Sequence, residues 1–138
     1  MAATPAAHEA AVAQRLRVVN PGTAVPEQVY LDVTNVKTGA QTRIRIDAMY
    51  EASPGKYQLV DAKFSSVKDL TTSNLQSTVT KNQKLAYQWI KDGNATVRVS
   101  QVPSAAAKGF GAGGQVLDVG SNVQLHVNSP GGIVVRNY

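Results

Sequence analysis

Two stretches of strict alternation dominate the chain. Arg43, Arg45 and Asp47 interleave with Ile44, Ile46 and Ala48, a period of two that predicts a strand with one polar and one apolar face. Ser53-Pro54-Gly55-Lys56 interrupts the pattern, as a turn does. Alternation then resumes, with Tyr57, Leu59, Asp61 and Lys63 on one face and Gln58, Val60, Ala62 and Phe64 on the other. Upstream, Val29, Leu31 and Val33 alternate within a strand over Gln28–Val36, and Lys37-Thr38-Gly39-Ala40 turns the chain into the hairpin.

Helical periodicity flanks this meander. Thr4 reads as the N-cap and Pro5 as the first residue of a helix over Pro5–Val18, with Glu9, Val12, Ala13 and Leu16 on one face. Asn20-Pro21-Gly22 stops it. After a polar connection, Ser65–Asn74, a second helix is predicted over Leu75–Lys91, ending at Asp92-Gly93. Leu75, Val79, Ala86 and Ile90, joined by Leu85 and Trp89, supply its core face. Gln76, Thr80, Gln83 and Tyr87 form an adjacent stripe. A strand follows over Asn94–Val102, and a crossover helix permits it a parallel neighbour. Pro103–Gly114 is small and glycine-rich and predicts a loop. Gln115–Val119, Asn122–Val127 and Ile133–Val135 predict short strands. The expected fold class is α/β. A core over about 5–102 carries a mixed central sheet, and 103–138 form a β-rich extension, all in one domain spanning 1–138.

Composition narrows the class. The chain has 138 residues, enough for one domain with one core. Cysteine is absent, so disulfides and thiolate metal sites are excluded. No apolar run approaches the roughly 20 residues of a membrane span, and Met1-Ala2-Ala3-Thr4 lacks the start of a signal peptide. The formal net charge is +5 and the sequence pI about 9.6, which favours a polyanionic partner, nucleic acid first. Mild basicity is also ordinary for a small soluble domain.

The chemistry concentrates in the hairpin. In Asp61-Ala62-Lys63 the carboxylate and the ammonium share a strand face. If the turn sets Asp47 opposite Asp61, two carboxylates and a lysine converge, a register that needs an odd loop count or a bulge. Close carboxylates resist joint ionisation unless a cation lies between them, and magnesium is the natural hard divalent ion for oxygen ligands. Glu9, on an apolar helix face, either finds a partner or metal or stays solvated in the first turn. Arg43 and Arg45 share Asp47's face and either bind flanking phosphates or serve as surface charge. His8-Glu9 is not a zinc-protease helix, since no histidine follows four residues later, and Pro103–Gly114 is not a P-loop. His126 reads as a surface or core-edge histidine.

An acid on one strand followed, after a hairpin, by acid-x-Lys on the next resembles the PD-(D/E)xK nuclease superfamily, here as Asp47 and Asp61-Ala62-Lys63. Ile46 stands where the family often has proline. Gln83-Lys84-Leu85-Ala86-Tyr87 resembles the Q-x-x-x-Y motif of the RecB-like branch. The resemblance implies a restriction-endonuclease-like core of helix, three-strand meander, helix and strand. It implies that Asp47, Asp61, Glu9 and the Ala62 carbonyl bind magnesium, or manganese. Lys63 would orient the attacking water or act as base, Gln83 would fix the site and Tyr87 would approach the nucleic acid backbone. Hydrolysis would leave a 5′-phosphate and a 3′-hydroxyl. With no specificity module visible, the chain looks like the toxin domain of a bacterial type VI or polymorphic effector. That analogy implies a delivery protein on its N-terminal side, a cognate immunity protein, and action on DNA in the cytoplasm of a target cell. The alternatives are a tRNA-cutting toxin, a cytoplasmic repair or mobile-element nuclease, and a non-enzymatic β-rich binding module.

Overall fold

The computed structural model describes residues 4–65, 71–100, 114–130 and 132–138. The chain is α/β, and among the described residues seven strands form one mixed sheet. Helix α1 spans Pro5–Val19. Strands β1 (Glu27–Asn35), β2 (Gln41–Ser53) and β3 (Lys56–Phe64) follow as an antiparallel meander. Helices α2 (Thr72–Ser77) and α3 (Lys81–Lys91) come next, then β4 (Ala95–Val99), β5 (Val116–Val119), β6 (Gln124–Ser129) and β7 (Gly132–Asn137).

Local chemistry sets the ends of the elements. The Thr4 hydroxyl accepts from the Ala7 amide at 3.1 Å, and Pro5 opens α1, where an amide hydrogen would be idle. The helix buries Val12, Ala13 and Leu16 against Val25, Ala48 and Val60. The expected face placed Glu9 among them. The fully buried first-turn residue is instead His8, four residues before Val12, and Glu9 lies beside that stripe, half-buried.

The predicted second helix is two helices. Thr78-Val79-Thr80 separates them, and Thr80 begins α3 with a capping box. Its hydroxyl accepts from the Gln83 amide at 3.2 Å, and its own amide donates to Gln83 Oε1 at 2.9 Å. β-Branched residues and a strong N-cap favour a fresh start over a continuous helix. Helix α3 buries Ala86, Tyr87 and Ile90, while Leu85, expected in the core, is 42% exposed. Gly93, with φ near +74°, turns the chain out of α3.

Strand order is β2-β1-β4-β5-β3-β6-β7, and β2 also pairs with β3. The sheet therefore curls until five strands meet, leaving β6 and β7 as a wing beyond β3. Two expectations change. The strand after α3 has no parallel neighbour of the expected kind: β4 pairs antiparallel with β1 and β5. The parallel neighbours of β3 are β5 and β6. The strands assigned to a C-terminal extension thus belong to the same sheet as the hairpin. The Pro103–Gly114 loop lies outside the described residues up to Gly114.

β2 is the strand that bends. It pairs with β1 as far as Ala48 and with β3 from Ala48 onward. Ile44 and Ile46 point into the larger core, Ala48 into the cluster under α1, and Met49 again into the larger core. Asp47 sits where this inward parity changes. In β3, Leu59, Val60 and Asp61 are consecutively buried, because the strand is covered on both faces.

Candidate active site

The hairpin has the irregularity that the converging register requires. Ala48 pairs with Val60 and Glu51 with Tyr57, but Ser53 pairs with Lys56, so one residue bulges between Glu51 and Ser53. The ladder runs to Ala48 and Val60, and just beyond it Asp47 meets the Asp61-Ala62-Lys63 stretch through its side chain. A cleft of about 530 Å³ opens there, lined by Glu9, Arg45, Asp47, Asp61, Lys63 and Gln83 among others.

Every ionic group in the cleft is held. Asp47 Oδ2 accepts from the Ala62 amide at 2.8 Å. A residue's amide and carbonyl share one side of a strand, so the Ala62 carbonyl faces the same edge. Asp61, 1% exposed, accepts from the Tyr87 hydroxyl at 2.7 Å, and Lys63 Nζ lies 3.3 Å from the same oxygen. Lys63 Nζ also donates to Gln83 Oε1 at 2.8 Å. That oxygen already takes the Thr80 amide, so a single atom joins the start of α3 to the lysine. Arg45 Nη2 lies 2.9 Å from Glu9 Oε1 and 3.3 Å from Asp47 Oδ1. Arg43 pairs instead with Asp32, at 2.8 Å.

The carboxyls are electrostatically crowded. Burial, then the hydrogen bond to Asp47, pushes Asp61 up to about 7, against the pull of Lys63 and Tyr87. Glu9 is pushed up to about 7 by its hydrogen bond to Asp47 and by burial. Burial works to raise Asp47 too, but hydrogen bonds from Glu9, Asp61 and the Ala62 amide outweigh it and leave that carboxyl lowered. One acid of the three holds its charge and two resist ionising.

The sequence-predicted residues therefore meet, with one role corrected. Asp47, Asp61, Lys63, Gln83, Glu9 and Arg45 share the cleft, and Arg43 lies at its wall. Tyr87, expected against the nucleic acid backbone, is 1% exposed and spends its hydroxyl on Asp61. It cannot reach a phosphate, and it orients the acid instead. Burial and the neighbouring Asp61 raise its phenol well above the ordinary range, keeping it a donor. The two ends of the Q-x-x-x-Y stripe thus grip the two ends of the Asp-x-Lys triplet.

A metal set of Glu9, Asp47 and Asp61 is not preassembled. Among the described residues no three carboxylate or imidazole groups are gathered so as to hold a metal ion. The donor chemistry nonetheless fits a hard divalent cation: two crowded aspartates and a carbonyl edge offer only oxygen. Glu9 is engaged by Arg45.

Beside the site lies a network that the sequence did not disclose. His8 Nε2 meets the His126 carbonyl at 2.8 Å, and Arg15 donates to His126 Nδ1 at 3.2 Å. That contact makes Nδ1 an acceptor and leaves Nε2–H for Gln124 Oε1, at 3.3 Å. His126, expected at a surface or core edge, is buried beside Ala62 in the β3–β6 ladder. Burial and the Arg15 charge push it down to about 4. A separation of 118 residues between His8 and His126 leaves no local signal to read.

Comparison with protein-family models, characterised proteins and solved structures returned no match. The geometry above carries the functional argument by itself. No described helix is long and apolar enough to cross a membrane.

Proposed function

We propose that the protein is a metal-dependent nuclease of the PD-(D/E)xK type, hydrolysing phosphodiester bonds of DNA. The observation that carries this reading is the anchoring of Asp47 on the Ala62 amide, between Asp61 and Lys63, in an open cleft. Asp47, Asp61 and the Ala62 carbonyl would hold magnesium or manganese, with Glu9 at the margin. The chemistry such an ion supplies when bound is polarisation of a phosphate and a lower pKa for an attacking water.

The protein's own groups do the rest. Lys63, fixed from two directions by Asp61 and Gln83, presents an ammonium to the charge that builds on the phosphoryl oxygens. Tyr87 keeps Asp61 aimed into the cleft. Arg43, on the cleft wall, offers a guanidinium to flanking phosphates. Water adds to phosphorus and the bond to O3′ breaks, leaving a 5′-phosphate and a 3′-hydroxyl.

The α1–β1–β2–β3 order and the hairpin support a restriction-endonuclease-like core. The antiparallel pairing of β4 with β1 is a departure from the expected arrangement. We read the compact, basic, cysteine-free chain as the toxic effector domain of an interbacterial competition system. It would act in the target cell's cytoplasm and be neutralised by an immunity protein. A second reading, a β-rich binding module without activity, is favoured by one observation: each carboxylate already has a cation within hydrogen-bonding reach.

One experiment separates them. Purified protein is incubated with supercoiled plasmid and with total tRNA, in magnesium and in EDTA, beside folded Asp61→Ala and Lys63→Ala variants. The expected result is magnesium-dependent plasmid cutting lost in both variants. Cutting of tRNA alone would reassign the substrate. No cutting, or cutting that survives both substitutions, would leave the binding module as the reading.

A further inference from the structure

We propose that Arg45 is a resident counter-ion of the acidic centre, displaced when a divalent cation binds and thereby freed for a substrate phosphate. The inference rests on the reading of Asp47 and Asp61 as the cation-binding carboxylates. Its basis is how the oxygens are allocated. Asp47 Oδ2 is taken by the Ala62 amide, and Asp61 Oδ2 by the Tyr87 hydroxyl and Lys63. The Glu9 and Asp61 carboxyls also lie within hydrogen-bonding reach of Asp47, and on its Oδ1 the cation is Arg45, whose Nη2 lies 3.3 Å away. The same nitrogen lies 2.9 Å from Glu9 Oε1. One guanidinium nitrogen thus spans carboxylates from α1 and β2.

This is an unusual use of arginine, which pairs best with a single carboxylate through two parallel bonds. The shared contact is weaker per partner, and the side chain remains 43% exposed at the cleft. Carboxylates this close need a cation, and Arg45 provides one in the absence of metal. A hard divalent ion bound to Asp47 competes for the oxygen that Arg45 uses and repels the guanidinium. Once released, a planar, weakly hydrated fork at the cleft is suited to a phosphodiester. Arg43 supplies the contrast. It lies two residues earlier on β2 with the same charge, but its partner is Asp32 and it touches no site carboxylate. Metal binding and phosphate binding are then linked through one side chain, each favouring the other.

The test uses magnesium itself as the probe, by calorimetry, on wild type, Arg45→Gln and Arg43→Gln. Arg45→Gln is expected to bind magnesium roughly three- to tenfold more tightly, because a competing charge has gone. Arg43→Gln is expected to stay within about twofold, since its charge is more distant and screened. In parallel, the Arg45 Nε–H resonance of the wild type is followed by NMR. Magnesium should move it and speed its solvent exchange. Unchanged or weaker affinity in Arg45→Gln, an equal gain in Arg43→Gln, or an unmoved resonance would overturn the proposal. Absence of magnesium binding by the wild type, or binding that survives Asp61→Asn, would overturn the underlying site assignment as well.

Discussion

At the scale of single residues, the crowded carboxyls of the cleft cost stability. Asp61 and Glu9 are both pushed up to about 7, so the folded state holds protons that the unfolded chain has released. Between their ordinary values and about 7, stability therefore falls as pH rises, and the cost is complete above about 7. Asp61→Asn cannot ionise. In metal-free buffer at pH 8 it should be more stable than wild type by roughly 1–2 kcal/mol, about 4–8 °C in Tm. The gap should narrow at pH 5, and thermal melts at the two pH values check the sign. Tyr87→Phe removes a buried bond to a carboxylate, at a cost of about 1.5–3 kcal/mol. It should slow cleavage while leaving oligonucleotide affinity unchanged, because the ring lies beneath the surface. A matching loss of affinity would return Tyr87 to the substrate. The acids and the lysine were legible in the sequence, since alternation and a turn place them on one face. The pairing of Arg45 with Glu9 was not, because no periodicity relates a helix to a strand 36 residues away.

At the scale of elements, α3 matters more for where it starts than for its length. Gln83 Oε1 serves both the Thr80 amide and Lys63. Thr80→Ala should cost about 1 kcal/mol, with Thr80→Ser restoring most of it. It should leave cleavage nearly intact, because Gln83 keeps its bond to the lysine. Gln83→Ala should cost a similar amount of stability and also abolish most activity. Urea midpoints and cleavage rates, measured together, separate the cap from the clamp. Equal activity losses in the two variants would deny Gln83 its separate role. The break before α3 was present in the sequence as Thr80-Lys81-Asn82-Gln83, a capping-box signature hidden inside a stripe that reads equally well as one helix. Strand β3 shows the opposite difficulty. Its alternation reads as half-exposed, but α1 and the larger core cover both faces.

At the scale of the whole molecule, the histidine network ties α1 to β6. His126 is pushed down to about 4, so the unfolded chain takes up its proton first as pH falls. Its contribution is intact above the ordinary histidine value and is lost between that value and about 4. His126→Gln should be less stable than wild type at pH 7, and the difference should shrink steadily by pH 4.5 in urea titrations. A constant difference would mean that the imidazole's shape, not its neutrality, matters. The long-range half of the sheet was beyond the sequence for a physical reason. Parallel partners join segments far apart in the chain, and each segment's pattern is the same whichever partner it finds.

The parallel ladder between β3 and β6 also sets an order of events. Val60 pairs with Gln124 and Phe64 with Asn128, so the lysine-bearing strand has to wait for a segment made long after it. The antiparallel hairpin can close early, because its loop is short, whereas the outer flank of β3 forms only after a long loop is closed. A nascent chain would thus carry Asp47, Asp61 and Lys63 together while one side of β3 is still bare. The far flank of β3 would be completed among the last steps of folding, after the hairpin and most of the chain are in place.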